Sequence, residues 1–233
     1  MRDLGALIVV VVVPTLDEES QTAALLDSLA GFDAVVVADG GSRDATVAIA
    51  RAHPAGASVI TASGGRAAQC NAGAGAAAAA EADVLVFVHA DSRLPEGAAG
   101  AVRRACADPA VIGGNFALRF DGGDRFARFL GAVYALQRRF GRYYGDSTIW
   151  CRRGTFAALG GFRELAIMDD HDFVRRLERH GRTVCLPGPA TTSDRRWRRL
   201  GVPRTLLTWT VIRWLYAVGM PTDRLATLYR RVR

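Results

Sequence analysis

The chain begins with an unbroken apolar run, Leu7 to Val13, that ends in five consecutive valines. A continuous β-branched run of this length predicts a strand buried on both faces. A polar turn follows, and residues 20–30 put Leu25, Leu26 and Leu29 on one face of a helix. The alternation then repeats: a strand at 34–38, a helix at 44–52, a weaker strand at 58–62, an Ala-rich helix at 66–81 and a strand at 84–88. Strand and helix in turn predict an α/β fold with a parallel sheet covered by helices. Ligands of such sheets bind beyond the carboxyl ends of the strands, which directs attention to residues 14–19, 39–44, 63–66 and 89–93.

The second half is less regular. The pattern predicts a helix at 97–107, a strand at 111–120, a Phe- and Arg-rich helix at 124–140 and a strand at 145–152. A helix at 168–180 starts in acids, and a short strand at 183–186 follows. The tail holds one or two helices, of which 204–218 is nearly apolar all round except for Arg213.

A length of 233 residues with 50% hydrophobic positions is enough for one large domain with a sizeable core. All 30 cationic side chains are Arg. The absence of Lys excludes a Schiff base, a pyridoxal phosphate linkage and a P-loop or kinase lysine. The net charge of +7 is unevenly spread: residues 195–233 hold ten Arg and one acid, while residues 1–194 hold 20 Arg and 22 acids. A basic tail suits an anionic partner such as a membrane surface, a nucleic acid or a pyrophosphate, and equally a solvated helix face. Trp209, Trp214 and Tyr216 beside those arginines favour an interfacial helix on an anionic bilayer over packing on the domain. No nucleic-acid-binding motif accompanies the charge, so nucleic acid is not an expected partner.

Cys70, Cys106, Cys151 and Cys185 lie far apart without CxxC spacing, which predicts buried free thiols in a reducing cytoplasm rather than a zinc ribbon or disulfide scaffold. The first apolar run has the wrong flanks for a signal peptide, and no apolar stretch reaches the roughly 18–20 residues of a membrane helix.

Acids recur where the buried strands end: Asp17 and Glu18 after the first, Asp39 after the second and Asp91 after the fourth. Several carboxylates on one sheet edge are costly unless a cation or a hydrogen-bonding ligand compensates them. A nucleotide with a divalent metal supplies both.

On these residues the sequence resembles an inverting family 2 glycosyltransferase over nearly its whole length. The resemblance implies a GT-A (nucleotide-diphospho-sugar transferase) fold, with a mainly parallel central sheet flanked by helices and C-terminal basic, aromatic helices added. PTLDEE at 14–19 is similar to the family's P-x-x-N-E turn, with Asp17 in place of Asn. ADGGSRDAT at 38–46 resembles D-D-G-S-x-D-x-T, with Gly40 at the second Asp. The likeness implies that Asp39 reads the nucleobase, and that Pro14, Thr15, Leu16, Glu18 and Gly41 cradle base and ribose. GRAAQCNAG at 65–73 resembles the segment whose Arg and Asn face the diphosphate sugar, here Arg66 and Asn71. HADSRLP at 89–95 stands where the metal-binding D-x-D lies, with His89 at the first Asp. Asp91, with or without His89, is then the expected ligand of Mn²⁺ or Mg²⁺. Histidine suits Mn²⁺ better than Mg²⁺, and a hydrogen-bonded histidine at a strand end is the rival reading of His89.

GGF at 160–162 and MDDHDFVRRL at 168–177 resemble the family's G-G-F and E-D-x-D-L-x-x-R-L signature, which implies Asp170 as catalytic base with Asp169 beside it. A carboxylate at a helix start is ionised at neutral pH, as a base taking an acceptor proton must be. SDRRW at 193–197 resembles Q-x-x-R-W, which implies contact of Arg196 and Trp197 with the diphosphate or the acceptor; an Arg-rich cap before the tail fits equally. The likeness divides the chain into a catalytic domain at 1–194, with a nucleotide-binding half at 1–95 and an acceptor half at 96–194, and a basic tail at 195–233.

Among short bacterial members the chain is most similar to the transferase 2 group associated with radical-SAM/selenodomain proteins, some of which are labelled 4,4'-diaponeurosporenoate glycosyltransferase. That implies a lipid or carotenoid-like acceptor, a small-molecule acceptor otherwise, and contact with the inner face of the cell membrane. A non-catalytic, membrane-associated nucleotide-sugar binder is the alternative, supported by His89 and Gly40. The segment at 73–78 matches the dinucleotide fingerprint G-x-G-x-x-A, but it does not follow a strand, which that motif requires.

Overall fold

The computed structural model describes residues 7–76, 79–122, 125–193 and 201–232. Arg196 and Trp197 lie outside them. The strands are β1 (Val9–Thr15), β2 (Ala34–Asp39), β3 (Ser58–Thr61), β4 (Val84–Phe87), β5 (Ser92–Arg93), β6 (Val111–Phe120), β7 (Ile149–Arg152) and β8 (Arg182–Thr192). The helices are α1 (Glu19–Asp27), α2 (Thr46–Ala52), α3 (Arg66–Gly75), α4 (Ala98–Ala105), α5 (Arg125–Arg138), α6 (Arg153–Ala158), α7 (Asp169–His180), α8 (Val202–Ala217) and α9 (Thr222–Val232). A 3₁₀ turn occupies Gly145–Ser147.

The strands form one sheet in the order β3-β2-β1-β4-β7-β6-β8-β5. β3, β2, β1 and β4 are parallel neighbours, as the hydrophobic runs predict. β7 runs antiparallel to both β4 and β6, β6 and β8 pair in parallel, and β5 is antiparallel to β8. The sheet is therefore mixed, with its first half wholly parallel.

Every residue of β1 is buried, because the sheet is covered on both sides. Val9, Val11 and Val13 pack with Leu25 and Leu26 of α1, with Leu29 in the turn after it, and with Ala98 and Val102 of α4. Val10 and Val12 face Ala67, Cys70 and Ala74 of α3 and Phe173, Val174 and Leu177 of α7. The approach of α3 to β1 depends on Gly73, since a Cβ there would lie 2.4 Å from Val12 Cγ1. β6 is equally tight: a Cβ on Gly114 would sit 1.8 Å from the Val184 carbonyl oxygen. Neighbouring strands can come this close only where no side chain intervenes.

β8 is longer than the predicted short strand because residues 187–189 (Pro-Gly-Pro) fall in a bulge. The register with β6 jumps from Phe116↔Leu186 to Leu118↔Ala190, so these prolines need no ladder hydrogen bond. In the predicted strand at 145–152, residues 145–147 are instead the 3₁₀ turn. The helix predicted to 81 ends at Gly75. Cys70, Cys106 and Cys151 are buried free thiols as expected, whereas Cys185 is exposed.

The C-terminal helices pack on the body. Ile212 and Leu225 are fully buried, and Trp209 closes over the small core of Phe120, Ala127 and Leu130 beneath α5. Of the aromatic trio, Trp209 and Tyr216 turn inward, while Trp214 is 64% exposed. No described helix is long and apolar enough to cross a membrane.

Candidate functional site

The parallel strands β1, β2 and β4 all deliver their carboxyl ends to one edge, and the loops there are tied together. In the β2 register Thr15 lies opposite Asp39. Asp39 is buried, and its Oδ2 accepts the Gly41 and Ser42 backbone N–H groups at 2.9 and 3.0 Å. Among the described residues its Oδ1 accepts only the Ser42 hydroxyl, which leaves lone-pair capacity for a ligand donor. Gly41 takes φ +101°, a conformation open to glycine, and so brings its N–H onto the carboxylate. The first turn locks onto this second loop: the Arg43 N–H donates to Asp17 Oδ1, the Glu18 N–H to Thr46 Oγ1 and the Glu19 N–H to Asp44. Pro14 is the penultimate residue of β1, Leu16 is exposed at the edge, and the buried Thr15 hydroxyl has no hydrogen-bond partner among the described residues. A buried orphan hydroxyl at a strand end marks an incomplete polar site.

Gln69, which the sequence reading passed over, explains Gly40. Its Nε2 donates to the Thr15 and Ala38 carbonyls at 2.7 and 2.8 Å, joining the ends of β1 and β2. A Cβ on residue 40 would meet that amide at 3.0 Å, so the side chain of an Asp here would compete with Gln69 for space.

Arg66 opens α3 and reaches across the edge to α7. Its Nε donates to Asp169 Oδ2 at 2.9 Å, Nη2 pairs with Asp169 Oδ1, and the same Nη2 lies 3.3 Å from Asp170 Oδ1. Nη1 faces His89 Nε2 at 3.4 Å, while His89 Nδ1 lies 3.2 Å from Asp146 Oδ1. A guanidinium can only donate, so this arrangement makes Nε2 the acceptor and Nδ1 the protonated nitrogen.

Asp170 stands at the start of α7, whose three first-turn acids face the favourable end of the helix dipole. Its Oδ2 accepts the Gly145 N–H at 3.0 Å, and its Oδ1 accepts the His171 N–H at 2.7 Å. Burial pushes this carboxyl up, but the Arg66 guanidinium and the Gly145 N–H outweigh it and hold the group below the ordinary carboxylate range. Gly145 is the contact point of the assembly. A Cβ there would lie 2.2 Å from His89 Nε2 and 3.3 Å from Asp170 Oδ2.

Beside Asp170 opens a cavity of about 730 Å³. Arg66, Asp146, Asp169 and Asp170 form its polar end, and Leu130, Val133, Ile167, Leu206 and Trp209 are among its apolar walls. Tyr144 stacks on His171 with ring centroids 5.7 Å apart. Burial pulls the His171 imidazole below its ordinary value; Asp170 opposes this, and Arg175, Arg213 and Arg142 reinforce it.

The structure thus brings Arg66, His89, Asp169 and Asp170 into one cluster at the sheet edge that also carries Thr15, Glu18, Asp39 and Gly41. Asp91 follows His89 by two residues, and its side chain makes no hydrogen bond or ion pair with the described residues; its carbonyl accepts the Ser193 N–H at 3.2 Å. Asn71 is not in the cluster. Its carboxamide closes on the Phe162 backbone, donating to the carbonyl at 2.8 Å and accepting the N–H at 2.9 Å. We expect Asn71→Ala to cost on the order of 1–3 kcal/mol in urea denaturation, by leaving these groups unmet. Asp146, Tyr144 and Gly145 carried no sequence signal: the first two are polar residues in an irregular stretch, and nothing local shows what a glycine must clear.

A divalent cation fits this edge in a limited way. Among the described residues no group of three or more His, Cys, Asp or Glu side chains could hold a metal ion. The uncommitted Asp91 carboxylate is a suitable hard oxygen donor, and the phosphate oxygens of a nucleotide would complete the shell. His89 does not fit as a ligand in this arrangement. Its Nε2 faces a guanidinium, which bars a second cation from that nitrogen, so the expected pairing of His89 with a metal gives way to a hydrogen-bonded histidine.

The sequence pattern described as Glycosyl transferase family 2 matches residues 10–161. No curated protein matches the chain. Among solved structures, TarS 1-349 of S. aureus in complex with UDP-GlcNAc superposes with a TM-score of 0.64 at 18% identity. The match covers 80% of this chain and 58% of that one, so the chain spans under two thirds of TarS 1-349. The mannosyltransferase PcManGT from Pyrobaculum calidifontis, in complex with GDP-Man and Mn²⁺, gives 0.59 at 22% identity, covering 88% and 64%. Glucosyl-3-phosphoglycerate synthase from Mycobacterium tuberculosis, with Mn²⁺, UDP and glucosyl-3-phosphoglycerate, gives 0.55 at 21% identity, covering 87% and 80%. At these identities the likeness shows the fold, which is GT-A.

Proposed function

The chain belongs to glycosyl transferase family 2, and from that membership we propose that it moves a sugar from a nucleotide-diphosphate sugar to an acceptor hydroxyl or carboxyl, with inversion at the anomeric carbon. The observation that carries this reading is Asp170: an ionised carboxylate at a helix start, backed by Arg66 and facing a cavity large enough for an acceptor. The nucleotide sugars held by TarS 1-349 and PcManGT, and the UDP held by the synthase, support the choice of donor.

In this reading Asp39, Gly41 and the turn from Pro14 to Glu18 hold the nucleoside. The acceptor enters the cavity, and where it offers a hydroxyl Asp170 takes the proton as that oxygen bonds to the anomeric carbon; a carboxylate acceptor attacks without a proton to lose. The bond from that carbon to the diphosphate breaks on the opposite side, which inverts the centre. Arg66 offsets the charge growing on the diphosphate, with His89 and Asp169 setting its direction. A diphosphate that competes for Arg66 loosens the pair with Asp170 and raises its proton affinity when the acceptor needs a base. A divalent ion on Asp91, when bound, adds charge compensation at the diphosphate; the Mn²⁺ of two neighbours supports it. Arg196 and Trp197 are assigned to the diphosphate or acceptor on the sequence likeness alone.

The apolar cavity walls support a lipid-like acceptor, carotenoid-like as in the resembling group. Leu207, Val211 and Trp214 on α8 and Val218 just past its end are exposed at spacings of four, three and four residues. With the basic tail, that stripe supports peripheral contact with an anionic membrane. The engagement of Arg66 and His89 favours one alternative, a nucleotide-sugar binder without turnover.

A thermal-shift screen of UDP-, GDP- and dTDP-sugars, with and without Mn²⁺, tests the reading. A donor at a hundred times its Kd stabilises by about 2.7 kcal/mol, which raises Tm by roughly 5–10 °C for a domain of this size. We expect one nucleotide class to do so, more strongly with Mn²⁺. No shift with any donor defeats the proposal; a shift without donor hydrolysis or transfer in Mn²⁺ establishes the binder.

A further inference from the structure

The turn that presents Gly145 to Asp170 is gripped from behind by side chains that do not line the cavity. Asn115 of β6 and Ser147 at the end of the turn are both buried. Arg138, the last residue of α5, donates from Nε to Asn115 Oδ1 at 2.6 Å. A guanidinium has no acceptor, so this contact fixes which way the carboxamide faces. Asn115 Nδ2 then donates to the Phe116 carbonyl at 2.8 Å and to Ser147 Oγ at 3.1 Å. The Ser147 hydroxyl, having received that N–H, donates its own proton to the Tyr144 carbonyl at 2.8 Å. Arg138 is itself anchored, with Nη2 on Thr183 Oγ1 at 2.9 Å and Nη1 at 3.5 Å from Glu178 Oε1.

The Tyr144 carbonyl and the Gly145 N–H belong to one peptide group. That group is planar and trans, so holding the carbonyl on one side directs the N–H on the other. Here the N–H points at Asp170 Oδ2, 3.0 Å away. Backbone strain flanks this contact on both sides. Thr148, which follows the turn, takes φ +57°, and Met168, which precedes the acids of α7, takes φ +69°. A left-handed backbone is a genuine outlier for a β-branched residue, and such conformations persist where the surroundings over-determine them.

We infer that Asn115 and Ser147 are positioning residues of the sugar transfer, which aim the Gly145 N–H at Asp170 through the Tyr144 carbonyl. The inference rests on the reading of Asp170 as base and adds what holds that base in place. The same turn carries Asp146 against His89, so its orientation also bears on the partner of Arg66.

Ser147→Ala tests it in the full chain, with water as acceptor and whichever of UDP-glucose, GDP-mannose and dTDP-glucose the native chain hydrolyses in Mn²⁺. We expect kcat to fall about tenfold, since small displacements of a reacting group are costly, while the donor KM stays within twofold. Deuterium exchange at the Gly145 amide should quicken about tenfold relative to the β1 amides. Asn115→Leu should act in the same direction, and Ser147→Ala, which removes one hydroxyl, carries the test if that variant does not fold. Arg152→Met is the control for a merely structural loss. It frees the Val111, Cys106 and Asp108 carbonyls at the opposite end of β7, so it should lower Tm but leave kcat and the relative exchange at Gly145 unchanged. In an Asp170→Asn background, Ser147→Ala should lower the residual rate less than twofold, because its effect passes through the base. Native kcat and exchange in Ser147→Ala overturn the inference, as does an equal kcat loss in Arg152→Met or a full tenfold loss in the Asp170→Asn background. A native chain that hydrolyses none of the donors counts against the proposed function instead, and the exchange at Gly145 still decides whether Asn115 and Ser147 hold the turn.

Discussion

Asp170→Asn lowers kcat by about 10²- to 10⁴-fold, the usual contribution of a positioned general base, and leaves the donor Kd nearly unchanged. The amide keeps the size of the carboxylate but cannot take the acceptor proton. It also meets the Gly145 and His171 N–H groups with only one oxygen, so a stability loss of about 1 kcal/mol accompanies it. The pH dependence separates charge from shape. The folded-state carboxyl is held below its ordinary value. Its contribution is therefore present above the unfolded value of about 3.9 and is lost as pH falls through the folded one. The Asn variant lacks that contribution, so its Tm should fall less than that of the native chain on acidification below about pH 4. Single-turnover assays, donor titrations and melting curves at stepped pH are the measurements. Turnover within threefold of the native enzyme would remove Asp170 from the role of base.

Arg66→Met should be the most damaging change to stability, and it should lower activity as well. It leaves Asp169 and Asp170 facing each other at the start of α7, with no guanidinium between them. Breaking a buried pair from one side costs about 3–5 kcal/mol. About a third of the Arg66 side chain is exposed, which brings the expectation down to roughly 2–3 kcal/mol. We expect kcat to fall about 10²-fold as well, since the diphosphate loses its donor. The Asp170 carboxyl should shift upward in the variant. The double variant Arg66→Met/Asp170→Asn should be less destabilised than the sum of the single changes, because only one carboxylate then remains unpaired. Urea denaturation of all four chains supplies the cycle; strict additivity would mean that Arg66 does not hold Asp170.

The first half of the fold was legible because its strands are buried on both faces. An unbroken valine run has no competing reading, and its carboxyl end locates the turn that follows. Asp39 was placed by the end of the second strand, whereas Arg66, Asp169 and Asp170 were picked out by the resemblance to the family's motifs. The second half hid more. β8 is interrupted by Pro187 and Pro189, and only the facing strand shows that they fall in a bulge. Asn71 matches the resembling segment, yet its amide serves the Phe162 backbone 91 positions away. Gln69 has no motif of its own, although it joins two strand ends. Sequence pattern reports burial and periodicity along the chain; which side chain closes on which distant backbone is decided by packing.

The outer wall of the cavity comes from α8 and α9, the final described elements of the chain. During synthesis every strand therefore leaves the ribosome before that wall exists. At about 5–20 residues per second, the interval lasts a few seconds. A nascent chain in that interval can fold the sheet edge that carries Asp39 while the apolar surface around Leu130 stays uncovered.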